Sequence, residues 1–382
     1  MRFGLFGSAS ARRGGAEFDS SEGFRDFIDY NVEAEALGFH STFVVEHHFT
    51  GYGQVSATLN LLTWVGARTR RLRLGTAVMV LPWHNPVLLA EQAATLDLLS
   101  GGRLDFGIGK GYRYNEFAGF RMSMEEADAR FEECLEVLLK AWTADEPFSH
   151  RGKYWEFDNI VVEPPPAQKP HPQIWMGAGS EHSIRQVAAH GFNLLLGQYA
   201  SLTSVASHIA AYKSEVEARG RRFDPMQVGV TRAFFVTDAA EEREAALERR
   251  LQNRVRQLKL ATWPDGTVLG GPDRATGDPR TINEASAMYG TPDGIAKMLD
   301  ELRNVGVGYV LIKRRRLRGW RARTREPAPL RPRSHADVRR VRETLLRGPA
   351  NSVERVSRAW RTGRNEKRLQ SLRQRYSCRA IG

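Results

Sequence analysis

Apolar residues in this chain fall into short blocks of strand length, separated by longer amphipathic stretches. Eight blocks stand out: "RFGLFG" (2–7), "STFVVEH" (41–47), "RLRLGTAVMV" (71–80), "RLDFGIG" (103–109), "QIWMGAG" (173–179), "FNLLLG" (192–197), "QVGVTRAFFVTD" (227–238) and "GYVLI" (308–312). Between most of them lie runs with helical periodicity, such as "EGFRDFIDYNVEAEALGF" (22–39) and "EEADARFEECLEVLLKAW" (125–142). Apolar strands that alternate with amphipathic helices predict a parallel sheet covered by helices. Eight strands close a TIM-type barrel, for which ~250 residues plus insertions suffice. The rival is a doubly wound open sheet, which usually carries G-x-G-x-x-G after its first strand; "GLFGSASARRGG" does not supply that motif.

The expected fold is therefore α/β, a TIM-type (β/α)8 barrel over residues 1–312 with two insertions. Residues 149–172, "SHRGKYWEFDNIVVEPPPAQKPHP", read as a β-excursion closed by a proline-rich connector. Residues 261–290 read as a long polar loop, rich in glycine and proline, of the kind that forms lids or disordered segments.

Charge changes the picture only at the end of the chain. The net charge is +12, but residues 313–382 hold 23 Lys+Arg against 5 Asp+Glu, a net of +18. The first 312 residues are mildly acidic, at −6. The tail has sparse, irregular apolar positions, apart from a short helical candidate, "HADVRRVRETLLR" (335–347). It is expected to be disordered or poorly packed, from a shifted reading frame or as a basic extension for an acidic partner. "KRRRLRGWRARTREPAPLRPR" carries no nucleic-acid reading module and few aromatics, so a nucleic-acid-binding function is set aside. Two cysteines, Cys134 and Cys378, make no disulfide framework and point to a reducing cytoplasm. No apolar run has membrane-spanning length, and the N-terminus reads as a strand rather than a signal peptide.

In a barrel the site lies at the C-terminal ends of the strands. The second strand ends in "EHHF", where alternation puts Glu46 and His48 on one face and His47 on the other, so the adjacent histidines do not grip one metal. The fifth ends in "GAGSEHS", where small residues lead into Ser180 and a helix from about Glu181. Free N–H groups there attract anions, with hydroxyls from Ser180 and Ser183 and a charge from Lys110 on the neighbouring strand. An ordinary N-cap serine beside a surface lysine is the alternative.

Taken together, "FVVEHHFTGYG", "LRLGTAVMVLPWHNPVLLAEQAATLDLLSGGRLDFGIGKGYRYNEFAGF" and "IWMGAGSEHSIRQVAAHG" resemble the bacterial luciferase-like flavin-dependent monooxygenases, nearest to the luciferase α subunit and its non-luminous relatives. The resemblance runs from residue 2 to about 312. It implies reduced FMN bound at the strand C-termini against Ala77–Val78, where relatives often have a non-prolyl cis peptide. Gly109 and Lys110 stand where luminous relatives have a cysteine and a phosphate-binding arginine. Gly179, Ser180 and Ser183 match the phosphate-binding turn, and Arg130 completes it.

His47 matches the family's catalytic base, with Glu116 in "YNEF" a second proton carrier or else a solvated loop carboxylate. His84 reads as a structural turn histidine, and Trp83 as pocket wall or packing. The resemblance further implies molecular oxygen as co-substrate, an NAD(P)H:flavin reductase partner, a small organic substrate and a homodimer. It implies no metal. A reduced deazaflavin transferring hydride without oxygen is the alternative cofactor. After residue 312 the chain departs from relatives, which continue into an eighth amphipathic helix.

Overall fold

The computed structural model describes residues 1–313 except 12, 16 and 268–277. The expectations for the tail from 314 to 382, including Cys378, lie outside the described residues.

The eight apolar blocks all become barrel strands. These are β1 (Arg2–Gly7), β2 (Ser41–Val44), β3 (Arg73–Thr76) continued by β4 (Met79–Val80), β5 (Leu104–Gly109), β8 (Gln173–Gly177), β9 (Asn193–Leu196), β10 (Val228–Val236) and β12 (Tyr309–Lys313). Each pairs in parallel with the next, and β12 closes the ring by pairing with both β10 and β1. Lys313, assigned above to the tail, is instead the last residue of β12, with its Nζ donating to Gln198 Oε1 at 2.7 Å. The covering helices include α1 (Glu22–Ala36), α2 (Thr58–Arg68), α3 (Pro86–Ser100), α4 (Tyr114–Phe120), α5 (Ala127–Thr143), α6 (Glu181–His190), α7 (Leu202–Ala218), α8 (Ala240–Ala261) and α10 (Pro292–Asn304).

Strand sequence sets what each face can hold. In "LDFGIG" of β5, Leu104, Phe106 and Ile108 belong to the outer core under the helices, leaving Asp105, Gly107 and Gly109 on the inner face. The inner core is a separate cluster of Phe43, Trp175, Leu195, Tyr309 and Leu311. Phe43, Trp175 and Tyr309 meet edge-to-face at centroid distances of 5.7 to 6.2 Å. Glycines make room for these rings: a Cβ on Gly75 would lie 2.4 Å from the Phe43 ring. Ala77 and Val78 pack on this aromatic plug, which gives the upper end of the barrel its floor.

The insertion at 149–172 contains an antiparallel hairpin, β6 (Phe148–Arg151) with β7 (Glu156–Ile160), ahead of a connector with cis bonds before Pro164 and Pro170. The Glu133 carboxylate on α5 anchors its turn, accepting from the backbone N–H groups of Lys153, Tyr154 and Trp155.

Segment 261–290 differs from the single loop expected. Its far end holds α9 (Pro279–Ala285) and β11 (Ala287–Gly290), which pairs with the upper half of β10. "DP" here is a helix start rather than a turn: Asp278 caps α9, accepting from Thr281 N at 2.7 Å, with Pro279 in the first position. The buried Arg250 of α8 then pins α9 through Asn283 O at 2.6 Å and Ser286 Oγ at 3.1 Å.

Candidate active site

Beyond β2 the chain stays extended, and alternation separates the side chains of "EHH" as their spacing predicts. Glu46 is buried at 1% exposure. Its Oε1 accepts from His84 Nε2 at 2.8 Å, His48 Nε2 at 2.9 Å and Trp83 Nε1 at 3.1 Å, and its Oε2 from Val80 N at 2.8 Å. Burial pushes this carboxyl upward, but the bonds from His48 and His84 and the Val80 amide outweigh it and hold it at about 2. An ionised carboxylate only accepts, so both imidazoles carry their proton on Nε2. His84 is structural, as expected, and Trp83 is both anchored to Glu46 and stacked on Phe120 at 5.2 Å.

His47 takes a different partner. Its Nδ1 lies 2.9 Å from Glu116 Oε1, and that oxygen also accepts from His48 N at 2.9 Å. Glu116 sits on α4 at 1% exposure, which overturns the solvated-loop alternative. Two residues 69 positions apart thus form one pair, with Glu116 buried and His47 half-buried. Arg113, at 3% exposure, places Nη1 3.8 Å from the same carboxylate oxygen. Burial lowers the His47 imidazole below its usual range, Glu116 opposes the shift, and the Arg113 charge adds to it. The neutral ring donates Nδ1–H to Glu116 and keeps a lone pair on Nε2. Arg113 was not singled out in the sequence; its only signal is its place three residues before Glu116.

The Ala77–Val78 peptide is cis. A Cβ on Gly109 would lie 2.6 Å from Val78 Cγ2, so a larger residue there would crowd Val78, and Gly177 borders the same side chain. The strand register sets Ile108 of β5 beside Met176 of β8, so Lys110 and the Ala178–Ser180 turn emerge from neighbouring strand ends.

The side chains expected to hold an anion each have a local partner. Lys110 is exposed and pairs with Asp128 at 2.5 Å. Arg130 pairs with Glu126 at 2.9 Å and lies 4.2 Å over the Tyr154 ring. Ser180 and Ser183 form a reciprocal capping box at the start of α6. Gly179 precedes it in the exposed turn. Among the described residues no cluster of metal-ligating side chains occurs, and no helix is long and apolar enough to cross a membrane.

The model of the luciferase-like monooxygenase family matches residues 1–308. The chain belongs to that family. It is 25% identical over 248 residues to the oxygenase component of the flavin-dependent trigonelline monooxygenase of Acinetobacter baylyi, covering 64% of this chain and 68% of the relative. It is 28% identical over 229 residues to the FMNH2-dependent dimethylsulfone monooxygenase of Pseudomonas putida, covering 58% and 61%. The crystal structure of monooxygenase RslO1 from Streptomyces bottropensis superposes with a TM-score of 0.74 at 26% identity, covering 91% of this chain and 99% of that one. The enzyme class is that of flavin-dependent monooxygenases.

In this luciferase-like monooxygenase the Glu46 network sets a stability requirement that can be measured. Replacing Glu46 by Gln leaves imidazole, indole and amide donors facing a neutral group, and unfolding in urea at pH 7 should show a loss of about 3 kcal/mol. A carboxyl depressed in the folded state contributes stability above its unfolded value of 4.5, and loses it as pH falls towards about 2. His47, also lowered, acts at a higher window: the unfolded imidazole takes a proton as pH falls through 6.5 while the folded one resists, so stability declines there too. Glu46→Gln should remove the lower loss and keep the upper one; an unchanged acid profile would count against the network.

Proposed function

We propose that this chain is an FMN-dependent monooxygenase that takes reduced flavin from a separate NAD(P)H:flavin reductase and oxygenates a small organic substrate with molecular oxygen. The observation that carries this reading is the His47–Glu116 pair, with His47 Nδ1 2.9 Å from the buried Glu116 carboxylate just beyond the end of β2. Reduced FMN, when bound, supplies the electrons that activate oxygen. Ala77, Val78 and Gly109 would back its ring. Gly179, Ser180, Ser183, Lys110 and Arg130 would hold its phosphate, after exchanging the Asp128 and Glu126 carboxylates for it.

His47 then acts at Nε2, accepting or returning a proton, while Glu116 holds Nδ1–H and fixes the ring. An imidazole that is neutral near pH 7 is suited to that task. The relatives named as an oxygenase component and as FMNH2-dependent support the separate reductase and the reduced cofactor. The reading further places the protein in the cytoplasm as a homodimer. Trp64 of α2 and Leu88, Leu98 and Leu99 of α3 are 45 to 70% exposed, and such an apolar face on neighbouring helices supports pairing of two copies.

Anaerobic titration should show tighter binding of reduced FMN than of reduced riboflavin, because charge-assisted bonds to the phosphate contribute roughly 1.5–3 kcal/mol each. Equal affinities would remove the phosphate assignment. Admitting oxygen and substrate should then yield oxygenated product, whereas turnover with a reduced deazaflavin and no oxygen would overturn the reading. His47→Ala should cut product yield about 100- to 10,000-fold and release hydrogen peroxide instead, with flavin affinity nearly kept. Near-normal coupling in that variant would make His47 structural. Sedimentation equilibrium should give the mass of two chains, and Leu99→Glu should return it to one.

A further inference from the structure

Arg113 is buried at 3% exposure, in the turn between β5 and α4. Its Nη2 donates to Gln257 Oε1 on α8, while Nε and Nη1 make no hydrogen bond. Its contact with opposite charge is the 3.8 Å approach of Nη1 to Glu116 Oε1. A buried guanidinium with so few bonds is tolerable only beside an ionised carboxylate. Yet an ionised, buried Glu116 placed 2.9 Å from His47 would by itself draw a second proton onto the ring. The two demands are reconciled if Arg113 balances the carboxylate's charge, so that His47 need not supply a second cation.

We infer that Arg113, anchored to α8 through Gln257, is a positioning residue that shares the Glu116 carboxylate with His47 and so keeps the imidazole singly protonated, on Nδ1. The inference rests on reading His47 as the proton carrier. The charged groups facing His47 are Glu116 from α4, Arg113 from the turn before it, and Glu46 from its own segment. Two carboxylates therefore favour the protonated ring, and Arg113 is the cation that opposes them. A second contact braces the same turn: Tyr114 packs on Trp263, just beyond α8, at 5.2 Å. The position of α8 thereby bears on the proton balance of the pair.

The test is NMR titration of the His47 ring nitrogens in the full-length, flavin-free protein. Arg113→Gln should raise the midpoint by about one unit or more, the size expected for a nearby charge. Arg113→Lys should restore most of it, and Gln257→Ala should shift it the same way by less. In the complete system the acid limb of the coupling profile should move up with the midpoint, whereas a merely structural role would lower yield at every pH. An unmoved midpoint in folded Arg113→Gln overturns the inference. Should that variant fail to fold, Gln257→Ala decides, with an unmoved midpoint again overturning it. Failure of the functional reading is separate: it would appear as retained coupling in His47→Ala, with the Arg113-dependent midpoint still in place.

Discussion

A carboxylate with 1% exposure has to be surrounded by donors or it will not stay ionised, and Glu46 is the group on which this site's geometry depends. Its donors come from Val80, Trp83, His84 and His48, so satisfying one oxygen pair fixes four positions at once. The β4 strand, the turn into α3 and the histidine segment after β2 are thereby locked to a single point. His48 is spent in this network. Its backbone N–H, however, reaches Glu116, so the two buried carboxylates are joined through one residue.

The second constraint is the barrel's inner core. Three aromatic rings fill the lower part of the barrel, and the glycines that face them are what let a ring of eight short strands close around such bulk. A packed plug is a rigid base, and the residues resting on it, Ala77 and Val78, inherit that rigidity. The upper end is then free to carry polar chemistry without weakening the core. This division of labour along the strands is why the outer faces are almost wholly aliphatic and the inner ones are mixed.

Electrostatics at the upper end follow from burial more than from the number of charges. Glu116 and Arg113 are buried and His47 is half-buried beside them, so a contact of 3.8 Å is weakly screened and still matters. Lys110, Arg130 and the Ser180–Ser183 turn are closer to solvent, where ion pairs with Asp128 and Glu126 are weak and can be exchanged.

The sequence by itself determined the barrel, because eight apolar blocks separated by amphipathic stretches have few other ways to bury themselves. It also determined the separation of Glu46 from His47, which period-two alternation imposes on any extended chain. The cap at Ser180 was legible for the same reason: capping is local. What the tertiary structure decided are the partners. Nothing near His47 in the chain announces Glu116, and nothing near Glu46 announces His84 and Trp83, since these contacts form only when strand ends from different repeats are brought to one rim. Segment 261–290 was misread as a single loop because its proline and glycine residues look alike whether they end a turn or start a helix. Only the grip of Arg250 on α9 distinguishes the two. Arg113 was hidden most completely. An arginine in a polar loop reads as solvated until the fold buries it, and burial is a property of the packed barrel rather than of any local stretch of sequence.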